Sequence, residues 1–146
     1  MSSPKGKRRH AREDATQVLY QLDLNQDLTP NAALEAFKNS FSDEVADLDP
    51  FAKRLVLGVM EHLKEIDERI AKVSEHWRKD RMAAVDRNIL RLGVFELCYC
   101  DDIPATVSIN EMVEVAKHFG SENTPSFING VLDKIKVAVV SPQKVK

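Results

Sequence analysis

The sequence predicts an all-α protein, a single domain of about six to seven helices. Glycine and proline are sparse, 5 and 6 of 146 residues. Apolar residues recur every three to four positions and nowhere alternate convincingly as in a strand. Charged residues make up 30% of the chain and interleave with that apolar pattern, as on helices with one buried face. A chain of this length buries a core without disulfide or metal support.

The first helix is expected from Arg8 to about Asn25, where Ala11, Ala15, Val18, Leu19 and Leu22 follow helical spacing. Residues 1–7 read as a basic tail ahead of it. Thr29-Pro30 combines a capping side chain with a proline at the first helical position, and Leu34, Phe37 and Phe41 form the stripe that follows. Asp49-Pro50 repeats the signal. From Leu55 through Val59, Leu63, Ile66, Ile70 and Val73 to Trp77 the apolar repeat is unbroken, which gives one long helix or two divided near Gly58. Lys79–Arg81 is a charged connection. Val85 to Cys100 is apolar on most sides, the pattern of a helix buried by several neighbours. Asp101-Asp102-Ile103-Pro104 ends it. Ser108-Ile109-Asn110-Glu111 has capping-box spacing, Gly120 is placed as a stop, and Thr124-Pro125 opens the last helix. The domain is expected over residues 8–140, with 141–146 as a tail.

Several function classes find no support. The glycines stand at 6, 58, 93, 120 and 130, so no phosphate-binding loop exists. His10, His62, His76 and His118 are scattered, without paired ligands at metal spacing. No nucleophile elbow is present, and the carboxylates mostly fall on solvent faces by periodicity. Neither catalysis, metal nor cofactor is expected. Cys98 and Cys100 point about 200° apart on a helix, which disfavours a local disulfide and fits a reducing cytoplasm. No apolar run approaches the roughly 18 residues of a membrane span.

Charge is distributed unevenly. Residues 1–12 hold Lys5, Lys7, Arg8, Arg9 and Arg12 and no acid, leaving 16 basic against 23 acidic residues in the rest. Residues 23–49 are the acidic extreme, with seven carboxylates against Lys38. A basic end on an acidic body suggests a local anion site; a solubilising tail fits the same composition. With Arg9 at 0° and about 100° per residue, the apolar stripe of the first helix spans roughly 180–280°. Arg12, Thr16 and Tyr20 fall at roughly 300°, 340° and 20°. The periodicity thus sets Tyr20 outside the core beside Arg9 and Arg12, the chemistry of RNA recognition: guanidinium groups meet phosphates and a ring stacks on an unpaired base. The first turns of a helix are also where cations cost about 0.3–1 kcal/mol each, so stability alone does not explain them. A tyrosine lying on a neighbouring helix with solvated arginines is the alternative. Arg87 and Arg91, one turn apart, could extend a basic track or simply be solvated.

At these residues the chain resembles a known family. Arg8-Arg9-His10-Ala11-Arg12-Glu13 with Gln17-Val18-Leu19-Tyr20 is similar to the opening of the NusB family of bacterial transcription antitermination factors. Asp86-Arg87-Asn88-Ile89-Leu90-Arg91-Leu92-Gly93 with Phe95-Glu96-Leu97 resembles its central helix. Ile109-Asn110-Glu111, Phe119-Gly120-Ser121-Glu122 and Phe127-Ile128-Asn129-Gly130-Val131-Leu132-Asp133-Lys134-Ile135 resemble its C-terminal signature. The similarity runs in order from about residue 8 to 137. It implies two helical bundles and partnership with a ribosomal small-subunit protein, NusE. It further implies joint binding of single-stranded boxA RNA and read-through by the RNA polymerase antitermination complex, notably in ribosomal RNA operons. Carried over by position, the RNA surface uses Arg8, Arg9, Arg12, Tyr20, Arg87, Arg91 and Phe127; Lys7 is added from charge alone. Phe127 could equally be core. Family members usually carry Asp, Ser, His and Lys where this chain has Asn123, Thr124, Pro125 and Ser126. The change removes one candidate phosphate contact and one repulsive charge.

Two other readings compete: an interaction module or homodimer that masks its RNA surface, and the RNA-binding region of a methyltransferase, against which the missing cofactor loop argues. For the RNA reading, three to five phosphate contacts imply a log–log salt slope of roughly −2 to −3.5.

Overall fold

Local sequence signals set two of the helix starts. Thr29 Oγ1 accepts the Ala32 N–H at 3.1 Å. Asp49 Oδ1 accepts the Phe51 N–H at 2.8 Å, with Pro50 in the first helical position. The computed structural model describes residues 4–41, 49–78 and 82–139. Among these are eight helices and no strand: α1 (Pro4–Leu24), α2 (Pro30–Phe41), α3 (Pro50–Glu61), α4 (Leu63–Val73), α5 (Glu75–Arg78), α6 (Ala84–Tyr99), α7 (Ala105–Phe119) and α8 (Thr124–Val139). The charged connection 79–81, the carboxylates Asp43, Glu44 and Asp47, and the tail 141–146 lie outside the described residues.

Four expectations are corrected. The first helix starts at Pro4, so Lys7 belongs to α1 and not to a tail. The long apolar repeat divides at His62, not Gly58. His62 leaves helical geometry (φ −109°, ψ 19°), and its ring stacks on Tyr99 with centroids 4.0 Å apart. Gly58 is helical and lies under the Phe95 ring, where a side chain would collide. The single-turn helix α5 adds an eighth element beyond the six or seven expected. The fourth concerns Ser108 and Glu111, which are no capping box: α7 begins three residues earlier, after Pro104, and both side chains bond to other helices.

Helix α6 organises the rest. Nine of its sixteen residues are buried, and it packs against α1, α3, α4, α7 and α8, as an apolar pattern on most sides requires. Helices α1–α3 form one group and α4–α8 the other, with a single apolar core running through both. Helix α7 ends at Gly120, and the last helix starts at Thr124 as its Thr-Pro signal implies.

Tyr99, near the end of α6, is held by burial and by its hydrogen bond to Glu65 Oε2 (2.6 Å), which push its pKa up to about 12. The folded state therefore favours the neutral phenol. Its stabilising contribution is complete below the ordinary tyrosine pKa near 10 and is lost between about pH 10 and 12. An ultraviolet phenolate titration is expected to show a late component that disappears in Tyr99→Phe. A single component near pH 10 in both proteins would contradict it.

Candidate nucleic-acid interface

Helices α1 and α6 run antiparallel: Arg12 meets Glu96 at one end, and Asp23 meets Arg87 and Asn88 at the other. The sequence-predicted site residues therefore fall into two groups. Lys7, Arg8 and Arg9 stand on the first turns of α1. Tyr20 lies about 17 Å further along the axis, one turn before Asp23, where α6 brings Arg87 and Arg91. Phe127 joins that second group through α8, because the Thr124 hydroxyl donates to Asp86 Oδ1 at 3.0 Å.

Arg12 is not on an open face. It is 2% exposed, and its Nε and Nη2 donate to the two oxygens of Glu96 at 2.7 and 2.8 Å. Glu96, wholly buried, also accepts the Ser108 hydroxyl at 2.8 Å. Thr16 is likewise buried, its hydroxyl donating to the Arg12 carbonyl at 2.8 Å. The buried arc of α1 is wider than its apolar stripe because α2, α3, α6 and α7 all pack on it.

Arg9 makes a two-point contact with Glu111, both bonds 2.9 Å, and this hydrogen bonding raises its already high pKa. The cations at the positive end of α1 are thus answered by Glu96 and Glu111, which offset the dipole cost. Arg8 remains exposed, its guanidinium carbon 4.2 Å from the Phe51 ring centroid. Lys7 Nζ is 3.8 Å from Asp49.

At the other end, Arg87 Nε and Nη2 donate to Asp23 Oδ2 at 2.9 and 2.7 Å. Arg91 grips Asp67 at 2.9 and 3.0 Å and lies 5.4 Å over the Trp77 ring. With its side chain 11% exposed, Arg91 is a recessed brace and not part of an open basic track. Burial opposes ionisation of Asp23, but the hydrogen bonds from Arg87 and Asn88 and the two arginine charges outweigh it and lower its pKa. Tyr20 is half-buried. So is Phe127, at the rim of a cleft of about 380 Å³ lined also by His76, Met82, Ala83, Asp86, Ser121, Asn123 and Thr124. Its ring meets His76 edge-on at 5.9 Å. Its partial exposure sets it apart from a pure core residue.

Sequence reasoning missed Glu96, Glu111, Asp23 and Asp67, the carboxylates that hold these arginines. One signal was available: Glu96 interrupts an otherwise apolar helix, and a carboxylate buried on all sides needs a cation. Phe51, Arg54, His76 and Trp77 had no local signature.

The arrangement offers exposed cations at one end and aromatic rings at the other, with carboxylate-braced arginines at both. The NusB family model matches residues 9–136. A transcription antitermination protein NusB from Myxococcus xanthus is 48% identical over 139 residues, covering 94% of this chain and 99% of the relative. One from Bacillus subtilis is 47% identical over 130 residues, 89% and 95% of the two chains. Among solved structures, Thermotoga maritima NusB superposes with a TM-score of 0.81 at 32% identity, covering 99% of this chain and 98% of that one. A structure of antitermination factors NusB and NusE in complex with double-stranded RNA gives 0.79 at 32% identity, covering 90% and 97%. With the family's pattern matched from the first helix to the last, the chain belongs to the NusB family.

Proposed function

We propose that this chain is a non-catalytic, RNA-binding transcription antitermination factor that joins NusE on boxA RNA and enters the RNA polymerase antitermination complex, promoting read-through notably in ribosomal RNA operons. The observation that carries the reading is the alignment of cations and rings along α1, α6 and α8 in a fold shared with a NusB–NusE–RNA assembly. Lys7, Arg8, Arg9 and Arg87 meet phosphates, and Tyr20 and Phe127 receive unpaired bases. Arg12 and Arg91 act from beneath by holding α6 against α1 and α4. The acidic body makes binding to RNA alone weak, so NusE completes the surface. This is work done on nascent RNA in the cytoplasm; no helix among the described residues is long and apolar enough to cross a membrane.

Fluorescence anisotropy with boxA, scrambled and duplex RNA, with and without NusE, tests this. Tight boxA-selective binding is expected only with NusE, and Tyr20→Ala is expected to weaken it about tenfold, since stacking on an aromatic ring contributes about 1–3 kcal/mol per base. Equal, weak binding to all three RNAs, unchanged by the substitution, would overturn the proposal. A persistent homodimer in sizing chromatography that never exchanges into a NusE heterodimer would favour a pure interaction module.

A further inference from the structure

Beside the first turns of α1 opens a cleft of about 450 Å³ lined by Lys7, Arg8, Asp49, Pro50, Phe51 and Arg54. Two of its cations come from α1; the third, Arg54, comes from the exposed side of α3. The Phe51 ring is 6% exposed, and Arg8 lies across it with its guanidinium carbon 4.2 Å from the centroid. That contact limits how far Arg8 can stray from the cleft. Arg54 is engaged differently from the braced arginines. Its Nη1 and Nη2 reach Asp102 at 3.1 and 2.7 Å, but the side chains are 40% and 52% exposed. An ion pair this open to solvent adds little to stability. A phosphate takes a guanidinium by the same two-point geometry and can replace Asp102 without leaving a buried charge unpaired. Counting Asp49 and Asp102 against the three cations, the neighbourhood keeps one net positive charge beside a body that is otherwise acidic.

We infer that the cleft between α1 and α3 is a phosphate subsite of the RNA surface, where Arg54 joins Lys7 and Arg8 on the RNA backbone. The inference rests on the RNA-binding reading and carries that surface off α1 onto α3. Asp102 is then a competitor for the Arg54 fork, and removing it should tighten binding.

The test measures affinity of the full-length protein with NusE for labelled boxA and scrambled RNA from roughly 50 to 200 mM salt. Wild type, Arg54→Ala and Asp102→Asn are compared, and melting temperatures are taken alongside. Arg54→Ala is expected to bind about three- to tenfold more weakly, by the same factor on both RNAs, with a log–log salt slope shallower by about 0.7. Asp102→Asn is expected to bind about two- to threefold more tightly, a gain that a merely structural role for this pair does not produce. Both exposed substitutions should leave melting within about 2 °C of wild type. If wild type binds with a clear salt slope and Arg54→Ala changes neither affinity nor slope, the subsite is refuted while the RNA reading stands. If wild type binds neither RNA, both fall.

Discussion

Replacing Arg12 with methionine is expected to lower stability by about 3–5 kcal/mol, because it leaves a buried carboxylate without its cation. For a domain of this size that corresponds to a melting temperature about 10 °C lower or more. Glu96 is wholly buried, and with Arg12 gone it loses both guanidinium hydrogen bonds while the Ser108 hydroxyl stays. Glu111, 3% exposed, loses the 3.8 Å approach of Arg12 Nη1 but keeps Arg9. Arg12→Lys should rescue little, since an ammonium cannot supply the two-point fork that spans both Glu96 oxygens. The double variant Arg12→Met, Glu96→Leu should recover at least half of the loss, because an apolar pair of similar volume replaces a buried ion pair at small cost. Thermal melts of the four proteins decide it; Arg12→Met melting within about 3 °C of wild type would show that the pair does not hold the helices together. The result also governs how RNA-binding data are read. Loss of binding on substituting Arg12 follows from loss of the fold unless the melt says otherwise.

Gly58→Ala is expected to cost about 2 kcal/mol, close to 6 °C in melting temperature, although alanine is the better helix former by about 1 kcal/mol. A Cβ at this position would collide with Phe95 Cζ and Cε1 and lie 2.9 Å from Cε2. The ring cannot slide aside freely. It is 6% exposed and packed in a stack with Tyr99 at 5.6 Å and His62 at 6.4 Å. Phe95→Leu in the same chain as Gly58→Ala should relieve the clash, giving a favourable coupling of about 1 kcal/mol or more in a double-mutant cycle. A Gly58→Ala protein as stable as wild type would mean that α3 and α6 separate here more easily than their packing indicates.

Legibility in the sequence followed the range of the interactions. Thr29-Pro30 and Asp49-Pro50 marked helix starts correctly because capping is decided within a few residues, and Gly120 and Thr124-Pro125 fell at the observed helix ends as well. Ser108 and Glu111 were misread for the complementary reason: their spacing equals that of a capping box, while their partners Glu96 and Arg9 are 12 and 102 residues away. Arg12 shows how narrow the margin was. It sits only about 20° beyond the apolar stripe, and Glu96, 84 residues on, turned that margin inward. Arg9 and Tyr20 fall much further round, about 80° and 100° beyond the stripe, and stay partly exposed. Family resemblance pointed to α1, α6 and α8, but nothing in a single helix said which arginines would be held by carboxylates.

Those carboxylates have a consequence for how RNA is met. A free arginine side chain carries about 2 kcal/mol of rotamer entropy, which is lost when a ligand fixes it. Arg9 and Arg87 are already fixed at the back edge by Glu111 and Asp23. Their disorder is surrendered when the chain folds, so little remains to be lost on contact with a phosphate. The negative charge behind each guanidinium also weakens its long-range pull. On the proposed RNA surface, guanidinium groups held this way would test the placement of phosphates more than collect them, and a strand that fits badly would gain little from its charge alone.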